Sequence, residues 1–387
     1  MKRISSIDFT RGFVMIIMAL DHVRDLIHVD AIKQSPMDFA TTTPVLFFTR
    51  WITYLCAPIF VFLAGVSVYR YRKSKNDIAA TRKFLVTRGL WLIVLEFTVV
   101  NFGLYFDFGF HFFIFEVIAA IGVGFIVLSF LQKLSIRAIG IIGAVIVVGH
   151  NALPAIPFSE GSVIKMILQP LFGPGLFPIT SQTMFFVGYP PIPWLGIMLL
   201  GFTAGTLFDL PDDVRVKRFL QLGVGALLLF VVLRFVNIYG DPVPWSAQKD
   251  SIYTFLSFIN ITKYPPSLLF CSVTLGFMFL ILAFAERFSG KWMEFVLVYG
   301  RVPMFYFLIH FYLIHFTMLA ILLLQGFSWS QLEFATGTFG RPANQISGLS
   351  LGPVYIIWIA MVLALYIPCQ WYGRYKAEHN YWWLKYI

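Results

Sequence analysis

Charge is scarce in this chain. Only 12% of its 387 residues are charged, about half the share of a soluble domain. A soluble globule of this length needs a far more polar surface, so that class is excluded. Cysteine is almost missing. Cys56, Cys271 and Cys369 lie far apart, in or beside apolar runs. They fit no disulfide framework and no zinc spacing, and read as packing residues. No P-loop, nucleophile elbow or dinucleotide fingerprint is present. What the chain has instead is apolar bulk: 59% hydrophobic and 18% aromatic residues, with a mean hydropathy of +0.79. The aromatic content excludes disorder. Several runs of roughly 18 or more apolar residues mark membrane-spanning helices. Lys+Arg is 29 against 19 Asp+Glu, a formal net charge of +10. Nucleic acid is not the expected partner, because the basic residues are distributed as membrane topology requires.

Ten spans are predicted, over 7–29, 44–69, 88–106, 112–132, 137–153, 191–208, 219–238, 266–285, 295–325 and 352–371. The expected fold is all-α: one domain over 1–387, a polytopic membrane helix bundle of about ten transmembrane helices. The first run follows Lys2 and Arg3 but carries Asp8 and Arg11 and ends in Asp21-His22, so a cleavable signal peptide is not expected. With both termini placed inside, most basic residues fall on the inner side, as the positive-inside rule asks. Arg70-Tyr71-Arg72-Lys73-Ser74-Lys75 is the clearest inner loop. Segment 154–193, rich in Pro, Gly and Phe, is expected to fold onto the bundle as an outer cap. Trp245, Trp329 and Trp358 read as interfacial anchors.

An ionisable residue inside a spanning helix is costly, so each is a functional candidate. The first span holds Asp8, Arg11, Asp21, His22, Arg24, Asp25 and His28. Arg11 and His22 are eleven residues apart, about 1100° of helical turn, and so share a face about 16.5 Å apart along the axis. That suits a long, thin substrate with its charged end at Arg11 and its reactive end at His22. The plainer reading pairs Arg11 with Asp8 at i, i+3 and leaves His22 a satisfied buried histidine. Asp21, Asp25 and His28 could be read as a metal face, but Arg24 within the cluster argues against it, and no metal is expected. The ninth span carries Arg301, Pro303, His310 and His315. Pro303 is expected to start or kink a helix there, and by helical angle His310 points away from Arg301. Arg50, Glu96, Glu116 and Arg234 are further buried candidates. Arg50 could equally be a structural ion-pair partner of Asp21 or Asp25. The small residues of Gly196-Ile197-Met198-Leu199-Leu200-Gly201 signal close helix packing.

The residues Ile4-Ser5-Ser6-Ile7-Asp8-Phe9-Thr10-Arg11-Gly12, followed by Met18-Ala19-Leu20-Asp21-His22, resemble the start of the heparan-alpha-glucosaminide N-acetyltransferase-like family. Arg50-Trp51-Ile52-Thr53, Ala57-Pro58-Ile59-Phe60-Val61-Phe62-Leu63-Ala64-Gly65, Pro193-Trp194-Leu195-Gly196 and Gly300-Arg301-Val302-Pro303-Met304-Phe305-Tyr306 extend the resemblance over most of the chain. It implies a transmembrane acyltransferase, which takes an acyl group, acetyl above all, from acyl-coenzyme A on the inner side and delivers it to a sugar on the outer side. In the family's lysosomal enzyme an asparagine stands in the first helix and the key histidine comes later. Here Asp21-His22 occupies that helix position and His28 is six residues beyond, so the histidine is His22 or His28. The spacing from Arg11 selects His22 as general base or transient acyl carrier, with Asp21 or Asp25 to orient it. Arg11 and Arg301, with Arg88 a third candidate, would hold the donor phosphates. Arg50 and His310 are the candidates for holding the acceptor. The implied partners are the lipid bilayer, acyl-coenzyme A and an extracytoplasmic sugar acceptor. A homodimer stays open, and the implied location is a bacterial cytoplasmic (inner) membrane. The competing class is a secondary transporter or flippase with a proton relay through Asp21 and His22. An acyltransferase should show a continuous path from the inner surface to His22; a transporter should show two related halves around a midplane site.

Overall fold

The computed structural model describes residues 4–155 and 162–386; Lys2 and Arg3 lie outside them. Fifteen α-helices follow in order among the described residues. The first seven are α1 Ser5–Ile27, α2 Pro44–Ile52, α3 Cys56–Lys75, α4 Ile78–Leu95, α5 Asn101–Tyr105, α6 Val117–Leu131 and α7 Ile136–Gly149. Then come α8 Val163–Phe172, α9 Pro191–Ala204, α10 Asp212–Val236, α11 Ser251–Ile259, α12 Leu268–Arg287, α13 Lys291–Arg301, α14 Pro303–Leu324 and α15 Leu351–Glu378. Eight helical segments, some formed by two of these helices run together, are long and apolar enough to cross a membrane among the described residues. The chain is thus a polytopic membrane helix bundle. α1 is not among the eight because its polar residues exceed what a simple span carries; α6 has only 15 residues. With these two, the helices fall on the ten stretches expected from the sequence.

Local chemistry sets the boundaries. Thr43 caps α2 by accepting from Leu46 N, with Pro44 in the first turn, where a missing N–H costs nothing. Asn76 turns left-handed at the end of α3, and Asp77 then caps α4. The expected ninth span is two helices. Pro303 starts α14, and Val302 between them is non-helical (φ −135°, ψ 50°).

The bundle is not purely helical. Phe112–Phe115 (β1), Gly175–Pro178 (β2) and Met184–Val187 (β3) form a sheet in the order β1-β3-β2, with β1 parallel and β2 antiparallel to β3. The expected span 112–132 therefore opens with a strand. Phe-Phe-Ile-Phe is a sequence of strong strand formers, and it pairs with β3 on one edge and with the Asn101 side chain on the other. β2, β3 and α8 are the described elements of the segment expected to form a cap. Trp358 is not simply interfacial: its indole donates to Ile16 O at 2.7 Å, tying α15 to α1. Trp245 likewise donates to Arg234 O at 2.8 Å.

The core sits around α1, which packs against α12, α13, α14 and α15 on one side and α3 on the other. α3 also packs closely on α9. There a Cβ on Gly201 would collide with the Phe62 carbonyl, so only glycine allows the approach. Gly201→Leu should cost about 1–3 kcal/mol through overpacking, read as a lower unfolding temperature in detergent; an unchanged temperature would show that the contact can relax. Toward the start of α1, Ser6 donates to Glu286 at 2.6 Å and Glu286 pairs with Arg215; Tyr386, after α15, has Arg88 5.6 Å over its ring.

Candidate functional site

α1 brings its polar residues into the middle of the bundle. Asp21 accepts from Arg24 Nη2 at 2.8 Å and from Arg50 Nη1 at 2.5 Å. Arg24 also donates to Asp25 at 2.6 Å. Two carboxylates and two guanidiniums thus neutralise one another, and the ion pair expected for Arg50 is present. Both Asp21 oxygens are engaged by arginine, and the hydrogen bond of the His22 ring runs to a different residue.

His22 is oriented by another histidine. Its Nδ1 lies 2.6 Å from His310 Nε2, and its ring stacks on Phe311 at 4.4 Å. His310 Nδ1 is 2.5 Å from Phe307 O and 3.2 Å from Tyr306 O. A carbonyl can only accept, so His310 carries its proton on Nδ1. In the neutral pair its Nε2 accepts, and His22 donates from Nδ1. The lone pair of His22 is then on Nε2, the tautomer a general base needs. His310 is fully buried; it touches His22 and lines none of the three cavities described below. The backbone carbonyls that fix this relay belong to the turn preceding His310 on α14, a device no spacing rule reveals. His315 does not join it and stacks on Phe106 at 3.8 Å.

His22 lines a chamber of about 270 Å³, together with Asp21, Asp25, Arg50, Glu116, Tyr189 and Lys263. A second cavity, about 430 Å³ and mostly apolar, holds Arg11 and Arg88. Phe60, Val117 and Phe307 form the wall between the two. A third cavity, about 390 Å³, lies beyond the other end of α1 among Arg24, Ser35, Asn260 and Thr262. It shares Asp25, Arg50, Lys263 and Tyr264 with the chamber. Three cavities therefore stand in series along α1, with His22 in the middle one.

Arg11 donates to Ser67 Oγ at 2.6 Å and lies 3.7 Å from Asp8, the pairing expected of it, and it also lines the second cavity. Arg88 faces the same cavity, but Arg301 does not: it lines a separate groove with Arg374 and Gln370. The break at Val302 turns α13 out of line with α14, which separates Arg301 from Arg11. His28 lies at the end of α1 and lines none of the three cavities. Its carbonyl accepts from Arg341 at 2.8 Å, and the flanking backbone pairs with Leu349. Burial lowers the Arg341 pKa to about 10, opposed by Asp30; it stays charged at neutral pH and ties the end of α1 to segment 341–347.

Lys263, Tyr264 and Tyr189 are chamber residues that spacing arguments passed over. Both tyrosines stand in Tyr-Pro-Pro segments, Tyr189-Pro190-Pro191 and Tyr264-Pro265-Pro266. The segments meet, with Tyr264 OH donating to Tyr189 OH at 3.3 Å. The repeated Tyr-Pro-Pro was the available signal. Lys263 gave none, because a lone loop lysine looks like any surface cation.

The described helices thus enclose a histidine-lined chamber flanked by two further cavities. The sequence profile of the heparan-alpha-glucosaminide N-acetyltransferase catalytic domain matches residues 3–236, and the chain belongs to that family. It is accordingly a multi-pass membrane protein of a transmembrane acetyltransferase family. The matched region holds α1 through α10, and so Arg11, His22, Arg50 and Arg88, but neither Lys263 nor His310. No curated protein matches the chain.

Proposed function

We propose that the protein transfers an acetyl group from cytoplasmic acetyl-coenzyme A to an amino sugar or other glycan acceptor on the outer side of the membrane. The observation that carries this reading is the run of three cavities with His22 in the middle one. The inner cavity offers Arg11 and Arg88 to the donor's phosphates and apolar wall to its pantetheine arm. The arm reaches the chamber past Phe60, Val117 and Phe307, the thin partition that a bound donor displaces. The outer cavity admits the acceptor between Asp25, Arg50 and Tyr264. His22 Nε2 takes the proton from the acceptor nitrogen as it attacks the thioester and returns it to the leaving thiol. Both termini face the cytoplasm, in keeping with the basic inner loops. The bilayer is a bacterial cytoplasmic membrane, and one domain spans 1–387.

The proton-relay reading has less behind it. Asp21 is clamped by two arginines and is a poor proton carrier.

Purified protein incubated with acetyl-coenzyme A and glucosamine should release free thiol and form the N-acetyl sugar; no release with a range of sugar acceptors would sink the proposal. Arg11→Ala should weaken donor affinity about tenfold, the value of one charge-assisted contact, while leaving the unfolding temperature in place. Arg301→Ala should leave donor affinity unchanged. Isothermal titration with coenzyme A separates the two, and equal losses at both positions would contradict the assignment of the inner cavity.

A further inference from the structure

We propose that the ammonium of Lys263, seconded by the hydroxyl of Tyr189, is the electrophile that holds the oxyanion formed during acyl transfer. This inference rests on the reading of the chamber as an acyl-transfer site.

Lys263 is 6% exposed, an unusual burial for lysine. No carboxylate lies within ion-pair distance of it and no oxygen accepts a hydrogen bond from it among the described residues. Its neighbours are ring faces instead: Nζ lies 5.0 Å from the centroid of Tyr264, 5.8 Å from Tyr189 and 5.9 Å from Tyr54. Aromatic faces attract an ammonium but accept none of its hydrogen bonds as an oxygen would. The three donors stay uncommitted at the seam of the chamber and the outer cavity. An uncommitted buried donor is what a developing oxyanion needs, since it is already in place and poorly solvated.

Other donors of the chamber are partly engaged. Arg50 Nη1 is bound to Asp21 at 2.5 Å, which leaves its remaining N–H groups to the acceptor. Thr53 donates to Arg50 O at 2.7 Å and Cys56 to Val14 O at 3.4 Å. Tyr264 donates to Tyr189, which leaves the Tyr189 hydroxyl proton free.

The fold also spends effort to fix this lysine. Asp241 accepts from Thr262 N at 2.8 Å, Thr262 Oγ1 at 2.9 Å and Ser267 Oγ at 2.6 Å, bracketing Lys263 on both sides. Arg234, fully buried, gathers the carbonyls of Val243, Ser257, Phe258 and Asn260 and closes the loop that leads to it.

In the step proposed, the acceptor nitrogen bonds to the thioester carbonyl carbon and the C=O π pair moves onto oxygen. His22 Nε2 takes the proton from nitrogen, and Lys263 and Tyr189 donate to the oxyanion. The C=O then re-forms, the C–S bond breaks with its pair on sulfur, and the thiolate takes the proton from His22. The product amide and the free thiol account for every atom.

The test compares wild type, Lys263→Met, Lys263→Arg and Tyr189→Phe in full-length protein, with acetyl-coenzyme A and glucosamine. Lys263→Met should lower kcat about 10²–10³-fold, the loss typical of one oxyanion donor. Donor Kd and acceptor KM should stay within about twofold, because the contact exists only in the transition state. Lys263→Arg should recover part of the loss. A Lys263→Met enzyme with kcat within about threefold of wild type, or with its whole defect in acceptor KM, overturns the proposal. If Lys263→Met loses donor binding through misfolding, Tyr189→Phe decides: about a tenfold fall in kcat supports the pair, and an unchanged kcat overturns it. Failure of wild type itself to release thiol would instead sink the reading of the chamber, and this inference with it.

Discussion

His22→Ala should abolish acyl transfer while leaving donor binding intact. The imidazole lines the chamber, and its Nδ1 is engaged by His310, so Nε2 is the nitrogen left for the substrate. Losing a positioned general base typically costs 10²–10⁴-fold in rate. The inner cavity, with Arg11 and Arg88, does not include His22, so coenzyme A affinity should be unaffected. His28→Ala should keep most of the activity, because that side chain lines none of the cavities in series and its backbone carries the contacts to Arg341 and Leu349. Rates of thiol release check both. Activity lost with His28→Ala and retained with His22→Ala would reverse the assignment.

His310→Phe should be the second severe lesion, although His310 lines none of the three cavities. Phenylalanine fills the space but accepts no hydrogen bond, so His22 Nδ1–H loses its partner at 2.6 Å. The ring is then free to take the other tautomer, which puts its proton where the base must be empty. A fall in kcat on the order of 10²-fold is expected, with acceptor KM little changed. The pH profile distinguishes this role from a merely structural one. The apparent pKa of the base should move in His310→Phe, because its partner fixes the stability of the charged form. A variant with wild-type kcat and an unmoved profile would show that His310 only packs. A loss as large as that of His22→Ala, with its base pKa gone, would make His310 the base.

Much of this was legible in the sequence, for physical reasons. Lipid tolerates few polar residues, so the ionisable ones in the first span had to be explained, and helical geometry put Arg11 and His22 on one face. The ten stretches were readable because hydropathy over a long window is a strong signal. Closer detail was less accessible. Phe112–Phe115 is as apolar as a helix, and only its partner β3 makes it a strand. The meeting of His22 with His310 joins positions 288 residues apart, a distance across which spacing says nothing. Arg301 looked equivalent to Arg11 by residue type, but the helix break at Val302 sends it to another groove. Lys263 stood in a loop with no periodicity to mark it.

Acyl transfer across the membrane through the His22 chamber can be followed in proteoliposomes with acetyl-coenzyme A carrying a labelled acetyl group on the cytoplasmic face only and glucosamine on the opposite face only. Labelled N-acetylglucosamine should form on the face away from the donor with wild type, and none above background with His22→Ala. Label that forms only when donor and acceptor share a face, or forms equally well without His22, would contradict this route.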